Sequence, residues 1–237
     1  MLRDLGFESP QRFESPQRFE SPELKRRGLL WGIPALIWFT FTVWYTDFGG
    51  PLTDAEIAQA LIALERRGMD SERFAQFERF LREDSGNQFL MVNNIDMSED
   101  PPPMPDFGPG ATAEDYNNHY MEHMYPQLLS RACHPIFFGN GVGVGIDITG
   151  IEDAHGWDLA ALFRYKSRRA FVEVVTHPDM GARHAYKHAA MEKTIAYPVE
   201  PGLYVSDLRI MLFLVLGLVT ALLDALIFRF PATSSRR

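Results

Sequence analysis

The histidines are the residues whose spacing best suits chemistry. Four of them form two pairs at i, i+4: His119 with His123, and His184 with His188. On a helix this spacing turns both rings of a pair to one face, as a metal site requires. Neither pair belongs to an HExxH motif or has a cysteine beside it, although Glu122 and Glu192 are near. Half-buried histidines bonded to backbone or carboxylates are the plainer alternative, and no metal is assigned. Met180, His184, His188 and Met191 make one helical stripe, and Tyr116, Tyr120 and His123 another, so the rings are expected to face an interior. An imidazole or phenol placed there would act as acid or base on a small organic substrate. The candidate catalytic residues are His123, Tyr120, Arg164 and His184.

A second group of residues would shape a ligand cavity: Asn93, Gly141, Gly143, Asp158, Tyr165 and His188. Gly139, Gly141, Gly143 and Gly145 alternate along the run HPIFFGNGVGVGID. Read as one strand, the run has a bare face that either lets a helix pack tightly or floors a cavity. In the strand that follows, Asp158, Ala160, Leu162 and Arg164 share one face, and Trp157, Leu159, Ala161, Phe163 and Tyr165 the other. The charged pair on the first of these faces could orient a polar ligand or pair across strands. Asn93 and Asn94 put one amide on each face of the opening strand. Cys133 is the only cysteine; it reads as a small buried residue of a helix and excludes a disulfide framework within the chain. No Ser-His-Asp arrangement, nucleotide fingerprint or haem-attachment motif is visible, and the cofactor is left unknown.

The elements that must carry these residues follow from periodicity. Gln88–Met97 reads as a strand, a Pro-rich loop follows at residues 101–109, and a helix spans Ala113–Cys133, interrupted by Pro126. Strands are expected from His134 and over Gly156–Tyr165. Ser167 caps a helix broken by Pro178, a second piece runs to about Met191, and Lys193–Val199 is the last strand. The order β-α-β-β-α-β is the split arrangement of a ferredoxin-like α+β fold. Ahead of it, Thr53 and Glu56 form a capping box, and Asp70 or Ser71 starts a second helix with Phe74, Phe77, Phe80 and Leu81 on one side. These two helices, within residues 51–86, are expected to form a collar.

Two apolar runs bracket everything else. Leu29–Tyr45 and Ile210–Phe228 each have about the length that crosses a bilayer core. Residues 29–46 and 208–230 are therefore read as transmembrane helices, the first uncleaved. Gly217, Ala221 and Ala225 give the second a seam of small residues for another helix. Its single charge, Asp224, is expected to snorkel toward the interface rather than serve a function. Lys25, Arg26 and Arg27 precede the first span, and Arg229, Arg236 and Arg237 follow the second. The positive-inside bias places both termini in the cytoplasm and the central domain on the other side. Residues 1–28 hold the tandem hexad FESPQR, FESPQR, FESPEL and read as a disordered cytoplasmic tail; residues 231–237 are a second, short tail. From Asp47 to Asp207 there are 25 acidic and 13 basic residues, a formal charge of −12. So acidic a domain is a poor partner for nucleic acid or for anionic lipid lying flat against it.

The segment LFRYKSRRAFVEVVTHPDM, continued by HAYKHAAMEKTIAYPV, resembles the dimeric α+β-barrel superfamily. That group holds the antibiotic-biosynthesis monooxygenases, EthD-type proteins and small families of unknown function. The matching features are Arg164-Tyr165, the cap Ser167, His177-Pro178-Asp179, His184 with His188, and Thr194–Val199; FLMVNNIDM resembles the group's first strand. The likeness covers residues 88–200. It implies a homodimer packed sheet to sheet, with a cavity between sheet and helices in each copy. Two readings of function follow. One is a membrane-tethered dimeric module that binds a small lipophilic molecule or a membrane partner. The other is a monooxygenase-like enzyme acting on a small organic substrate.

Overall fold

The computed structural model describes residues 22–229; the hexad repeat through Ser21 and the C-terminal tail lie outside the described residues. The chain forms two compact units, residues up to Phe39 with those from Met211 onward, and Thr40–Ile210.

The first unit is built from two helices, each long and apolar enough to cross a membrane: α1, Pro22–Tyr45, and α7, Leu208–Asp224, extended by a π-helical turn over Ala225–Arg229. Helix α1 begins before the apolar run and so takes Arg27 into its first turns. Asp224 does not snorkel. Arg27 Nε and Nη2 donate to its two carboxylate oxygens at 2.8 and 2.6 Å. A carboxylate flanked by leucines gains far more from a forked guanidinium partner than from a partial reach to water. Further along the pair, Trp38 meets Phe213 edge to face at 5.7 Å.

The second unit carries the α+β domain. Its four strands are β1 Phe89–Met97, β2 His134–Asn140, β3 Leu159–Tyr165 and β4 Met191–Val199. They pair antiparallel in the order β2-β3-β1-β4, the ferredoxin-like order. Between β1 and β2 lies α4, Ala113–Ser130; between β3 and β4 lie α5, Arg168–Val175, and α6, Met180–Ala189. The caps at Thr53 with Glu56 before α2 (Asp54–Glu65), Asp70 before α3 (Ser71–Arg82) and Ser167 before α5 are those the sequence signals, and the structure adds a capping box of Thr112 with Asp115 before α4. Each satisfies backbone N–H groups that the first helical turn leaves open.

Several boundaries differ from the sequence reading. Helix α4 runs straight through Pro126 and ends at Ser130. The Cys133 and Ala132 N–H groups bond back to Leu128 and Leu129 O at 2.9 and 3.1 Å. This is a Schellman close, with Ala132 in the left-handed region at φ 55°, where glycine is the usual residue. Cys133 therefore lies past the helix, fully buried. Strand β2 stops at Asn140, so Gly141, Gly143 and Gly145 belong to a loop and not to a glycine-bare strand face. Gly141 is needed because a Cβ there would come within 2.0 Å of the Trp157 carbonyl oxygen.

Helices α2 and α3 do not form a separate collar. Ile57, Ala60 and Leu81 make a small core with Phe80 and Val172, and Phe77 and Phe80 enter the main one. There Phe89 stacks on Tyr165 at 5.2 Å, and Phe171 meets both edge-on at 5.8 and 5.1 Å. An aromatic cluster of this kind buries much apolar area in few residues.

Pairing register divides the sheet into two faces. Phe89↔Tyr165 and Met91↔Phe163 lie under the helices. On the other face, Val92 stands between Leu162 and Tyr197, Asn94 between Ala160 and Ile195, and Phe137 opposite Leu162. Phe137, Ile195 and Tyr197 are 50, 37 and 45 % exposed. Tyr45 covers the end of this face that holds Arg164, and Asp153 and Trp157 lie over Lys193 at the other end.

Candidate functional site

Helices α4 and α6 pack along one another and bring together most of the candidate chemistry. Tyr120 lies 6.2 Å from the His184 ring, edge to face, and His184 lies 4.5 Å from His188. One turn further along α4, His123 stands 5.3 Å from His177. Three of the four residues expected to be catalytic, Tyr120, His123 and His184, therefore share one helix–helix seam, which spacing along either helix does not by itself predict.

The seam is rich in bases and poor in acids. Burial, then the nearby charges of His188, Lys187, Arg73 and Arg67, push the His184 imidazole down to about 4. His188 is lowered by burial and by Lys187 and Arg73. Burial also lowers the Lys187 amine, which sits 6.0 Å above the Tyr120 ring, and raises the Tyr120 phenol. His123 is lowered by burial and by His177, and its buried Nε2 has no hydrogen-bond partner among the described residues. At neutral pH these imidazoles are uncharged, so each offers a lone pair to a proton without first having to lose one. No group of three or more His, Cys, Asp or Glu side chains among the described residues could hold a metal ion. His119, the outer member of the first pair, is engaged by Arg183, whose Nη1 lies 2.6 Å from its Nε2.

The other expected residues lie elsewhere. Arg164 is on the opposite face of the sheet, 1 % exposed, and does not meet the histidines. Its Nε donates to Gln88 Oε1 at 2.8 Å, Nη1 to Ala132 O at 2.7 Å and Nη2 to Tyr45 O at 2.9 Å, while its guanidinium lies 3.5 Å above the Tyr45 ring. Of the expected cavity residues, Asn93 spends its amide on Met91 O and Ala161 O at 3.1 and 3.4 Å. Asp158 accepts the Met97 N–H at 2.7 Å and tethers β3 to β1. Tyr165 is locked in the aromatic core. Gly141 and Gly143 lie in the loop after β2, and His188 joins His184. The set does not converge on one cavity.

The sequence reading names His177 only within the resemblance and misses Lys187 and Arg67, whose guanidinium holds the carbonyls of Val175 and His177 where α5 gives way to α6. Lys187 was available from spacing, three residues after His184 on the same stripe. Arg67 was not, because its position depends on how α2 docks.

No protein-family model matches the chain, and no curated protein matches it. Similar solved structures exist. A protein of unknown function from Rhodopseudomonas palustris shares 22 % identity over 57 % of this chain and 96 % of that one, with a TM-score of 0.46. A dimeric protein of unknown function with a ferredoxin-like fold, from Bacteroides fragilis, shares 15 % over 48 % and 96 %, at 0.29. A protein from Arabidopsis thaliana shares 13 % over 49 % and 97 %, at 0.31. The ferredoxin-like description here rests on the chain's own strand order.

Proposed function

We propose that the protein is a membrane-anchored module that works as a homodimer and binds a small lipophilic molecule or a membrane partner. The observation that carries this reading is the apolar surface the chain leaves uncovered, in two places. Along α1 and α7, leucine, isoleucine, phenylalanine and tryptophan side chains stand exposed on all sides, from Leu29 and Phe39 to Leu214 and Leu226. A helix apolar around its whole circumference suits lipid, not water. On the free sheet face, Phe137, Ile195 and Tyr197 with half-buried Leu162 form a second apolar patch, which a second copy of the chain would cover in an isologous pair. The arginines and lysine that flank the spans support an orientation with both termini in the cytoplasm.

Anchoring is tested by alkaline carbonate extraction and by protease access in sealed vesicles. Release into the carbonate supernatant refutes the anchor, and cleavage of the central domain from the cytoplasmic side refutes the orientation. Pairing is tested by the mass of the detergent-solubilised full chain, and a monomer at micromolar concentration refutes it.

A second reading, an enzyme of monooxygenase-like type, draws on the seam where uncharged His184 stands beside the Tyr120 phenol, with the Lys187 amine over the Tyr120 ring. Mass spectrometry of the purified protein separates the two readings. A bound organic molecule that turns over in the native chain and persists unchanged in His184→Ala protein supports the enzyme.

A further inference from the structure

A polar pocket of about 300 Å³ lies in the domain unit, on the side of Arg164 that the histidines do not touch. It is lined by Thr46, Asp47, Gln88, Arg164, Lys166 and Arg209, with Glu200 at its wall. We infer that this pocket binds a phosphate group, either of a phospholipid headgroup or free in solution.

The arrangement of charge points to an anion. Arg164 is buried, yet each acceptor it meets, Gln88 Oε1, Ala132 O and Tyr45 O, is neutral. Gln88 Oε1 also accepts from Arg209 Nη2 at 3.2 Å, so two guanidinium groups converge on one uncharged oxygen. The Tyr45 ring lies under both, 3.5 Å from Arg164 and 5.5 Å from Arg209. Asp207 balances the charge of Arg209, so Arg164 is the buried guanidinium here that meets no carboxylate, and a bound anion would supply the missing counter-charge.

The carboxylates nearby are already committed. Asp207 clasps Arg209 at 2.5 Å, Asp47 faces Arg169 at 3.3 Å, and Glu200 faces Arg168 at 3.6 Å while accepting from Ser85. Lys166 has no carboxylate partner among the described residues. Arg164 and Lys166 are thus the two cations left to a ligand. A guanidinium with N–H groups to spare and a mobile ammonium form a common phosphate-binding pair.

Position favours a lipid source. Thr46 follows α1 directly, and Arg209 lies in the first turn of α7, so the pocket takes its walls from the domain-side ends of both apolar helices. Phospholipid phosphates lie at that depth. The lipid source rests on the membrane anchoring proposed above. The phosphate chemistry does not, and since one chain supplies the whole lining, it does not depend on pairing either.

The test uses the full-length chain in non-ionic detergent, with thermal melting read against phosphatidylethanolamine, phosphatidylglycerol, diacylglycerol of the same acyl chains, and inorganic phosphate. The phospholipids are expected to raise the melting temperature by several degrees where diacylglycerol does not. Lys166→Ala is expected to weaken phospholipid binding roughly tenfold, and Lys166→Glu more. A response to inorganic phosphate that matches the phospholipid response assigns the site to free phosphate; a response to phospholipid alone assigns it to lipid. Equal responses to phospholipid and diacylglycerol with none to inorganic phosphate overturn the inference. So does unchanged affinity in both Lys166 variants, with folding confirmed by circular dichroism.

Discussion

The two faces of the sheet are made from the same strands and much the same residue types, yet they have opposite fates. Beneath the helices, Phe89, Phe163 and Tyr165 are covered by Phe80, Phe171 and Tyr120 of the same chain. On the other face, Phe137, Ile195 and Tyr197 stay exposed beside half-buried Leu162, while Tyr45 closes the end at Arg164 and Trp157 with Asp153 the end at Lys193. Alternation along a strand sends residues to two faces but does not say whether both will be covered. One face holds the monomer together. The other is apolar surface that the chain itself leaves exposed.

Phe171→Ala, in the covered face, should have the largest effect, a loss of about 3–5 kcal/mol in chemical denaturation, because it opens a cavity among four ring contacts, to Phe77, Phe80, Phe89 and Tyr165. If the loss is below about 1 kcal/mol, the aromatic cluster is not the core it resembles.

The same layer predicts a pH dependence. The folded His184 pKa lies near 4, below the 6.5 of an unfolded chain. Between those values the unfolded chain binds a proton that the folded chain refuses, so stability is fully present above about pH 6.5 and falls as the pH drops toward 4. The loss should approach about 3 kcal/mol at the low end. His184→Gln should flatten the profile in that window; an unchanged slope would assign the dependence to other groups.

At the closed end of the open face, Ala132→Gly should stabilise by about 1 kcal/mol, since glycine adopts the left-handed close of α4 without the cost that a Cβ carries. Loss of stability there would mean that the Arg164 contact to Ala132 O depends on the alanine methyl.

Leu162→Asp, on the open face, should change monomer stability least, by under about 1 kcal/mol, while abolishing pairing in a cross-linking assay. A large drop in melting temperature with pairing intact would erase the distinction between the two faces.

Much of this was legible in the sequence where the signal is local. Thr53, Asp70 and Ser167 declare their helices through side chains that reach N–H groups within three residues. The pairs at His119/His123 and His184/His188 predict shared helix faces for the same reason. Failures came where a distant partner decides. The glycine run looks like a strand by alternation, but β2 ends at Asn140, where its pairing with β3 ends. Arg164 was grouped with the histidines by residue type, although its position in β3 turns it to the other face. Asp224 looked solitary because Arg27, which binds it, is 197 residues away.

The sequence alone determined the two apolar helices, the β-α-β-β-α-β order and the helix caps, since each depends on periodicity or on contacts within a turn. Only the tertiary structure decided which sheet face would be covered, which histidines would lose their charge, and that Arg164 and Arg209 would converge on one neutral oxygen. Those outcomes depend on burial and on charges brought together from far along the chain, and a linear pattern carries neither.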